Sequence, residues 1–256
     1  MISTRRTFLA GSLATLAAAH PLMGCGPLPS STKVHVMGVI HGRHRRSESY
    51  SLAVLEEAIR IAAPDVIFTE IPPDRIDQAR CSFASTGEVD EPRTEVFPEY
   101  TDVVFPLSRE MPFRLFGCAG WTRQIADDRA QALERIQNDP ARAEQWAEHR
   151  AAQSDFAQAV AGRSDDPRFI HTEHFDQLVE KSREPYQRYF DQDLGPGGWS
   201  QINRAHTDLI NAALDEISGE GLTTLIMFGS AHKYMIRRSI SQRGDIALLD
   251  TADLFA

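Results

Sequence analysis

Two corners of the chain carry a glycine three residues before a histidine. The first is Gly38-Val39-Ile40-His41 and the second is Gly229-Ser230-Ala231-His232. Each corner ends an apolar run, "VHVMGVI" in the first case and "TLIMF" in the second. Imidazole groups exchange protons near neutral pH and bind metal ions, so both histidines are candidates for acid–base or metal chemistry. If the two corners lie side by side, they form one site.

A carboxylate ends a third apolar run. Glu70 stands in "VIFTEIP", where an unpaired charge would be costly unless it has a partner or a chemical role. Two histidines and one carboxylate are a donor set of catalytic metal sites that keep positions open for water. Without a metal, His41 oriented by Glu70 could act as a general base. The two mechanisms use the same residues, and both predict hydrolysis.

The elements that must position these residues alternate between strands and helices. Apolar, β-branched runs predict strands at 34–40, 65–71, 112–120, 222–228 and 245–249. Helical spacing predicts helices at 49–63, 127–136, 141–160, 171–191 (interrupted at Pro185), 199–218 and 230–243, whereas residues 74–110 follow no clear pattern. The order predicts an α/β fold with a mostly parallel central sheet and helices on both faces. A large helical insertion, about 121–198, is expected to cap the carboxyl ends of the strands.

Parallel strands place their carboxyl ends along one edge of the sheet, where ligands bind in open α/β folds. His41, Glu70 and His232 each follow a predicted strand directly, so we expect them to converge. Gly38 and Gly229 are expected to take positive φ angles and to let backbones approach closely. The sequence therefore predicts one His/Glu/His centre at this edge.

The N-terminus is interpreted as an export signal. Arg5-Arg6 resembles a twin-arginine motif, and the uncharged stretch 9–19 that follows is too short to span a bilayer comfortably. Leu22-Met23-Gly24-Cys25 resembles a lipobox, in which the cysteine is lipidated and becomes the mature N-terminus. A plain cleaved signal that happens to contain a cysteine is the alternative.

These features divide the chain into three parts. Residues 1–24 are predicted to be the signal peptide, 25–32 a Gly/Pro/Ser tether, and 33–256 one α/β domain. Lipidation at Cys25 would hold that domain at a membrane, in the periplasm or at the cell surface. Substrates are then expected to be small molecules or peptides, and the oligomeric state is left open.

The charge of the chain disfavours nucleic acid as a partner. The net charge is −9, and it would become about −11 after removal of the first 24 residues, which contain two arginines and no acidic residue. Binding to phosphates needs clustered Lys and Arg, and "GRHRR" at 42–46 is the one basic cluster. Two cysteines remain, Cys81 and Cys118, and their pairing cannot be decided from sequence.

The paired corners and the glutamate resemble the TraB/TIKI and erythromycin-esterase/ChaN-like superfamily. Gly38–His41 and Gly229–His232 stand where the two family motifs stand, and Glu70 matches the glutamate that ends the second strand. Arg204 matches an arginine on the helix before the second corner, although Asn203 precedes it here rather than following it. The second corner also lacks the further glycines that are common in TraB-like relatives.

The resemblance implies three kinds of activity. The superfamily includes proposed metal-dependent peptidases, metal-free His/Glu esterases that open macrolactones, and lipoproteins associated with haem or iron. For a hydrolase, His41, Glu70 and His232 are the predicted catalytic residues and the predicted ligands of a divalent ion (Mn, Co or Zn). Arg204 is expected to support them by stabilising the oxyanion, together with His232.

The alternative is a haem- or iron-binding lipoprotein without catalysis. Its candidate iron ligands are His35, His44, Tyr186, Tyr189 and Tyr234, none of which stands in a diagnostic motif. His44, three residues after His41, is also a candidate extra ligand for the His/Glu/His centre. An enzyme needs an open cleft, whereas a haem protein needs a flat apolar surface with an axial ligand.

Overall fold

The structure is a computed structural model that describes residues 31–255. The predicted signal peptide, the predicted lipidation site at Cys25 and the first six residues of the predicted tether lie outside the described residues. Thr32, the last residue assigned to the tether, already pairs with Ile246 in the sheet. Within residues 31–255, no helix combines the length and the apolar character needed to cross a membrane.

Five strands form one sheet in the order β3-β2-β4-β1-β5. All four neighbouring pairs are parallel, which confirms the predicted sheet. The strands are β1 (Thr32–Val39), β2 (Val66–Thr69), β3 (Arg114–Gly117), β4 (Thr223–Gly229) and β5 (Ile246–Leu248). β1 and β4, which lead into the two histidine corners, are neighbours at the centre of the sheet.

Helices cover both faces of this sheet, as the sequence predicts. They are α1 (Leu52–Ala62), α2 (Pro73–Thr86), α3 (Phe105–Leu107), α4 (Arg123–Asn138), α5 (Ala143–Ala159), α6 (Pro167–Ile170), α7 (Glu173–Leu194), α8 (Trp199–Glu216) and α9 (Lys233–Ile240). Short 3-10 turns lie at His41–Arg45, Pro140–Arg142, Gly195–Gly197 and Ala252–Leu254, and a π-helical segment spans Glu99–Val104.

Alternate residues of the strands point to two separate cores. Val34 and Val36 of β1 face α8 and α9, while Met37 and Val39 face the side of α1 and the insertion. This period of two is the ordinary consequence of a pleated strand. Because both faces are covered, the strands are mostly apolar, although β1 contains Lys33 and His35.

The helical insertion packs over the carboxyl ends of β1 and β4, as predicted. Its anchor is His171, which follows α6 and is buried. The Nε2 atom of His171 accepts a hydrogen bond from the Gly38 N–H (3.0 Å), and Nδ1 donates to the carbonyl of Pro167 (2.6 Å). One histidine therefore joins the insertion to the end of β1.

The prediction that Pro185 interrupts a helix is wrong. α7 runs without a break from Glu173 to Leu194, with Pro185 buried inside it. A proline removes one backbone donor and disturbs one turn, which packing can offset. Here α7 packs along α5, and Gln153 of α5 donates a hydrogen bond to the Ser182 carbonyl (2.8 Å).

Candidate functional site

The side chains that follow β1, β2 and β4 meet at the carboxyl edge of the sheet. The Nε2 atom of His41 lies 3.8 Å from Oε2 of Glu70, and Nε2 of His232 lies 3.8 Å from Oε1 of the same carboxylate. Both distances exceed a direct hydrogen bond, so they suit a small bridging group such as water. The structure thus brings both Gly-x-x-His corners to one carboxylate.

Each corner places its glycine against the other corner. A Cβ atom on Gly38 would lie 3.0 Å from Cα of Ser230, and one on Gly229 would lie 2.6 Å from Nε2 of His41. The predicted close approach is confirmed. The predicted positive φ is wrong for both glycines, because they lie in regular strands; His41 itself takes φ +51°.

Glu70 is buried and is held at its side chain and at its backbone. Its Oε2 atom accepts a hydrogen bond from the Gly229 N–H (2.7 Å), and its own N–H donates to the Tyr100 hydroxyl (2.8 Å). Tyr100 in turn donates to the carbonyl of Met227 (2.7 Å). Burial raises the pKa of Glu70, against the opposing effects of His41 and the Gly229 hydrogen bond. The carboxylate is therefore rigid and poorly solvated.

His41 is oriented by Glu99, a residue that the sequence analysis did not identify. Nδ1 of His41 donates to Oε1 of Glu99 (2.6 Å), and Glu99 is completely buried. Burial lowers the pKa of His41, but the hydrogen bond to Glu99 and the charges of Glu70 and Glu99 outweigh it, so the pKa is raised. With its proton on Nδ1, the neutral ring presents the Nε2 lone pair to Glu70.

His232 is oriented in the same way by Asn203. Nδ1 of His232 donates to Oδ1 of Asn203 (2.8 Å), whose amide nitrogen donates to the Trp199 carbonyl (2.7 Å). The lone pair of His232 is therefore on Nε2, which faces Glu70. Burial lowers the pKa of His232 well below its usual value, and the neighbouring His206 and Arg183 lower it further. His232 is a neutral imidazole at physiological pH.

Arg204 is not brought to this site. Its side chain is 78 % exposed, and its closest carboxylate contact is with Asp208 at 3.9 Å, one turn along α8. Successive helical residues differ by about 100° in direction, so Arg204 turns to the solvent when Asn203 faces the sheet. The asparagine next to the predicted arginine is the residue that contacts His232.

His206 is a second residue of the site that the sequence analysis missed. It follows Asn203 by three positions on α8, a spacing that puts both on one helix face and could have indicated it. Its ring lies edge-on to that of His232, with centroids 5.0 Å apart. Glu99 gave no comparable indication, because it begins a short π-helical segment, a rare element, within residues 74–110, which follow no clear pattern.

No protein-family model, curated protein or solved structure matches this chain. The resemblance to the TraB/TIKI and erythromycin-esterase/ChaN-like superfamily therefore rests on the motifs themselves. Gly38–His41, Glu70 and Gly229–His232 are the positions that carry it, and they lie together at the sheet edge. The activities that the resemblance implies enter below as proposals.

A group of one glutamate and two histidines could hold a metal ion. Glu70, His206 and His232 each place a ligand atom within 4.8 Å of the others. Nδ1 of His206, however, accepts a hydrogen bond from the Gly120 N–H (2.8 Å), so its proton is assigned to Nε2. In this tautomer His206 has no free lone pair. Glu70 and His232 fit a metal. The predicted ligand His41 is not part of this group, and its Nε2 lies 3.8 Å from Oε2 of Glu70, whereas His232 faces Oε1.

The residues named as iron ligands are largely engaged elsewhere. Both ring nitrogens of His44 are used, since Nε2 accepts from the Ile40 N–H and Nδ1 donates to the Tyr50 carbonyl. Tyr189 donates to Glu148, and Tyr234 accepts from Trp199. His35 and Tyr186 are buried. Because both of its ring nitrogens are in hydrogen bonds, His44 is a structural residue and not an extra ligand of the centre.

Two cavities lie near the sheet. One of about 310 Å³ separates α5 and α7 from the second corner, where Ser230 and Ala231 line it. Another of about 730 Å³ is lined by Phe113 and Arg114 at the start of β3 and by Glu216 at the end of α8. The second is at the amino edge of the sheet, away from Glu70. The first reaches the chain next to His232 at Ser230 and Ala231, although His41, Glu70 and His232 do not line it.

The two described cysteines are both free thiols. Cys81 is exposed on α2, whereas Cys118 is buried after β3, where burial raises the pKa of its thiol. A buried thiol with a raised pKa is unreactive, which places Cys118 among the packing residues.

Proposed function

We propose that this protein is an exported, lipid-anchored hydrolase that cleaves a peptide, ester or lactone bond at the His41/Glu70/His232 centre. The observation that carries the proposal is the placement of two oriented imidazole lone pairs at the two oxygens of one buried carboxylate. Two histidines outside the centre, His44 and His171, use both ring nitrogens in hydrogen bonds. His41 and His232 each keep Nε2 free.

The chemistry follows from the assigned protons. A water between His41 and Glu70 gives a proton to Nε2 of His41 as its oxygen attacks the carbonyl carbon of the substrate. Glu99 stabilises the imidazolium that forms, and His41 then delivers the proton to the departing oxygen or nitrogen. The carboxylate of Glu70 accepts the second hydrogen of the water and so fixes its orientation, which leaves neutral His232 as an acceptor for a hydrogen of the bound substrate.

A divalent ion is compatible with the same residues. Glu70 and His232 would hold it, with His41 as the proposed third ligand and with Glu99 and Asn203 orienting the imidazoles as outer partners. Bound there, Mn, Co or Zn would supply a Lewis acid that lowers the pKa of water toward about 7. Imidazole and carboxylate suit all three metals.

Hydrolysis by the full-length protein in a mild non-ionic detergent tests the proposal. p-Nitrophenyl butyrate, a macrolactone and a fluorogenic peptide mixture represent the three bond classes. His41→Ala and His232→Ala are each expected to lower the rate about 100-fold or more, the usual contribution of general acid–base catalysis. Full activity of both variants on every cleaved substrate would refute the proposed centre.

Metal dependence is measured on the same preparation. Dialysis against a chelator, followed by addition of Mn²⁺, Co²⁺ or Zn²⁺, separates the two mechanisms. Loss and recovery of activity support the metal-dependent form, whereas indifference to the chelator supports direct activation of water by His41. Metal content of the His41→Ala/His232→Ala double variant shows whether the centre is the binding site.

A further inference from the structure

Arg183 of α7 is a half-buried cation that forms no ion pair with any acidic residue between positions 31 and 255. Its Nε atom is buried and makes no hydrogen bond, and its guanidinium carbon lies 4.5 Å from the ring centroid of Trp199. Burial lowers the pKa of Arg183. The other groups that affect this pKa are Tyr186, Tyr234 and Arg129, and none of them is a carboxylate. An unpaired donor in a partly buried position is costly unless a ligand satisfies it.

Arg183 lies between a cavity and the proposed centre. Trp199, on which it stacks, is itself stacked on His232 with ring centroids 4.8 Å apart. Arg183 also lines the cavity of about 310 Å³, a volume at the lower end of small-molecule sites. The cavity reaches the second corner at Ser230 and Ala231, which separate Gly229 from His232 in the chain.

The wall of this cavity combines apolar side chains with two cationic ones. Phe156, Val160 and Val179 form much of the wall, while Arg183 and Arg43 line it with their cationic side chains. The guanidinium of Arg43 donates hydrogen bonds to the hydroxyl (2.8 Å) and to the carbonyl (3.1 Å) of Ser164. Within residues 31–255 it too has no acidic partner. None of the acidic residues in the described part of the chain lines the cavity.

We propose that this cavity binds the non-reacting part of the substrate, an apolar group that bears a carboxylate, and that Arg183 binds that carboxylate. The guanidinium offers paired N–H donors that match two carboxylate oxygens. The inference rests on the proposed function, since it names the substrate class of the same centre: amphiphilic carboxylates with a hydrolysable bond near His232.

Binding of a matched pair of probes tests this pocket without catalysis. 4-Phenylbutyrate carries the apolar body and the carboxylate, and 4-phenylbutyramide is its neutral counterpart of the same shape. Calorimetry on the full-length protein in non-ionic detergent is expected to show about tenfold or tighter binding of the carboxylate, because a charged hydrogen bond is worth about 1.5–3 kcal/mol. Equal affinity, or no binding of either probe, would overturn the inference.

Variants then assign the effect to one side chain. Arg183→Met is expected to bind both probes equally, and Arg183→Lys to keep part of the difference, since it retains the charge. Arg204→Met, which removes an exposed arginine, is the control and should behave as the native protein. A native preference in Arg183→Met would overturn the assignment. If Arg183→Met does not fold, Arg183→Lys is compared with the native protein instead. An undiminished preference for the carboxylate in Arg183→Lys would then overturn the assignment.

The two proposals fail in different ways. If His232→Ala keeps the preference for phenylbutyrate, the pocket is independent of catalysis, and missing hydrolysis would then count against the proposed function alone. If hydrolysis depends on His41 and His232 but no probe shows a preference for the carboxylate, the centre stands and the substrate class is wrong.

Discussion

At the scale of single residues, His41 shows how the site is held. Its φ of +51° is unusual for a residue other than glycine and costs about 1–3 kcal/mol. The surrounding contacts enforce it: Nδ1 is fixed by Glu99, and the ring packs against Phe97 with centroids 4.9 Å apart. Strain of this kind is concentrated at functional sites, because the reacting atom must point where relaxed backbone would not take it.

The neighbours Asn203 and Arg204 offer a matched test at this scale. Asn203→Ala removes the acceptor that fixes the tautomer and the ring orientation of His232, so we expect activity or metal affinity to fall about 10- to 100-fold. Arg204→Ala alters an exposed side chain and should change neither by more than about twofold. Kinetic assays and metal titration of both variants check this. Equal effects of the two substitutions would contradict the assigned roles.

Gly229 and Gly42 form a second matched pair. In Gly229→Ala the new methyl group would lie 2.6 Å from Nε2 of His41, so the imidazole must move and activity should fall at least about tenfold. Gly42 has no atom within 4 Å of the position of a Cβ, so Gly42→Ala should retain activity. Kinetics with thermal melts of both variants separate misplacement of His41 from unfolding. A fully active Gly229→Ala variant would show that the close contact is dispensable.

At the scale of secondary-structure elements, the site depends on the adjacency of β1 and β4. Their register pairs Val39 with Gly229, which sets the first corner beside the second. β2 borders β4 on the other side and pairs Thr69 with Met227, so Glu70 emerges between the two histidines. α8 adds Asn203 and His206 from the opposite layer, while the π-helical segment adds Glu99.

The attachment of the insertion to β1 through His171 predicts sensitivity to acid. Burial lowers the pKa of His171 to about 3, and Lys233 and Arg237 contribute in the same direction. Between pH 6.5 and about 3 the unfolded chain therefore binds a proton there that the folded protein does not, so stability falls as the pH falls through this window. One such group changes the free energy of unfolding by about 1.4 kcal/mol per pH unit.

His171→Gln removes this titration and keeps a side chain that can accept and donate hydrogen bonds. The variant is expected to be less stable at pH 7 but to lose stability less steeply between pH 6 and pH 4. Denaturant unfolding at several pH values measures both slopes. Parallel curves for the native protein and the variant would show that His171 does not titrate on unfolding.

At the scale of the whole molecule, the proposed lipid anchor would hold the domain at a membrane. A lipidated Cys25 would carry a thiol-linked diacylglycerol, whose two chains suffice for stable membrane attachment. The described strands start at Thr32, seven residues after Cys25. Because Thr32 begins β1 at the amino edge of the sheet, the tether would join the domain at the edge opposite the proposed active site.

Cys25→Ser tests the anchor directly. The variant is expected to leave the membrane fraction and to lack the mass of an N-terminal lipid, while its hydrolytic activity is unchanged. Cys81→Ser, at an exposed cysteine of α2, is the control and should stay with the membrane. A Cys25→Ser variant that remains membrane-bound would show that the lipobox interpretation is wrong.

The α/β fold could be predicted from the sequence, because strands and helices have different periods of apolar residues. The parallel arrangement of the strands follows from the alternation of strands and helices along the chain. The sequence also located His41, Glu70 and His232 at strand ends, since an apolar run that stops at a polar residue is a local pattern. Gly38 and Gly229 were found in the same way, although their role is close packing between the corners and not a positive φ.

The hydrogen-bond partners of these residues depend on the tertiary structure. Glu99 comes from a π-helical segment that no pattern in the sequence indicated. Asn203, and not the predicted Arg204, contacts His232, because the rotation of α8 about its axis is set by packing and not by local sequence. Hydrogen bonds across the sheet likewise fixed which nitrogen of His41, His206 and His232 is free. Side-chain orientation depends on contacts between residues far apart in the chain, which no local pattern encodes.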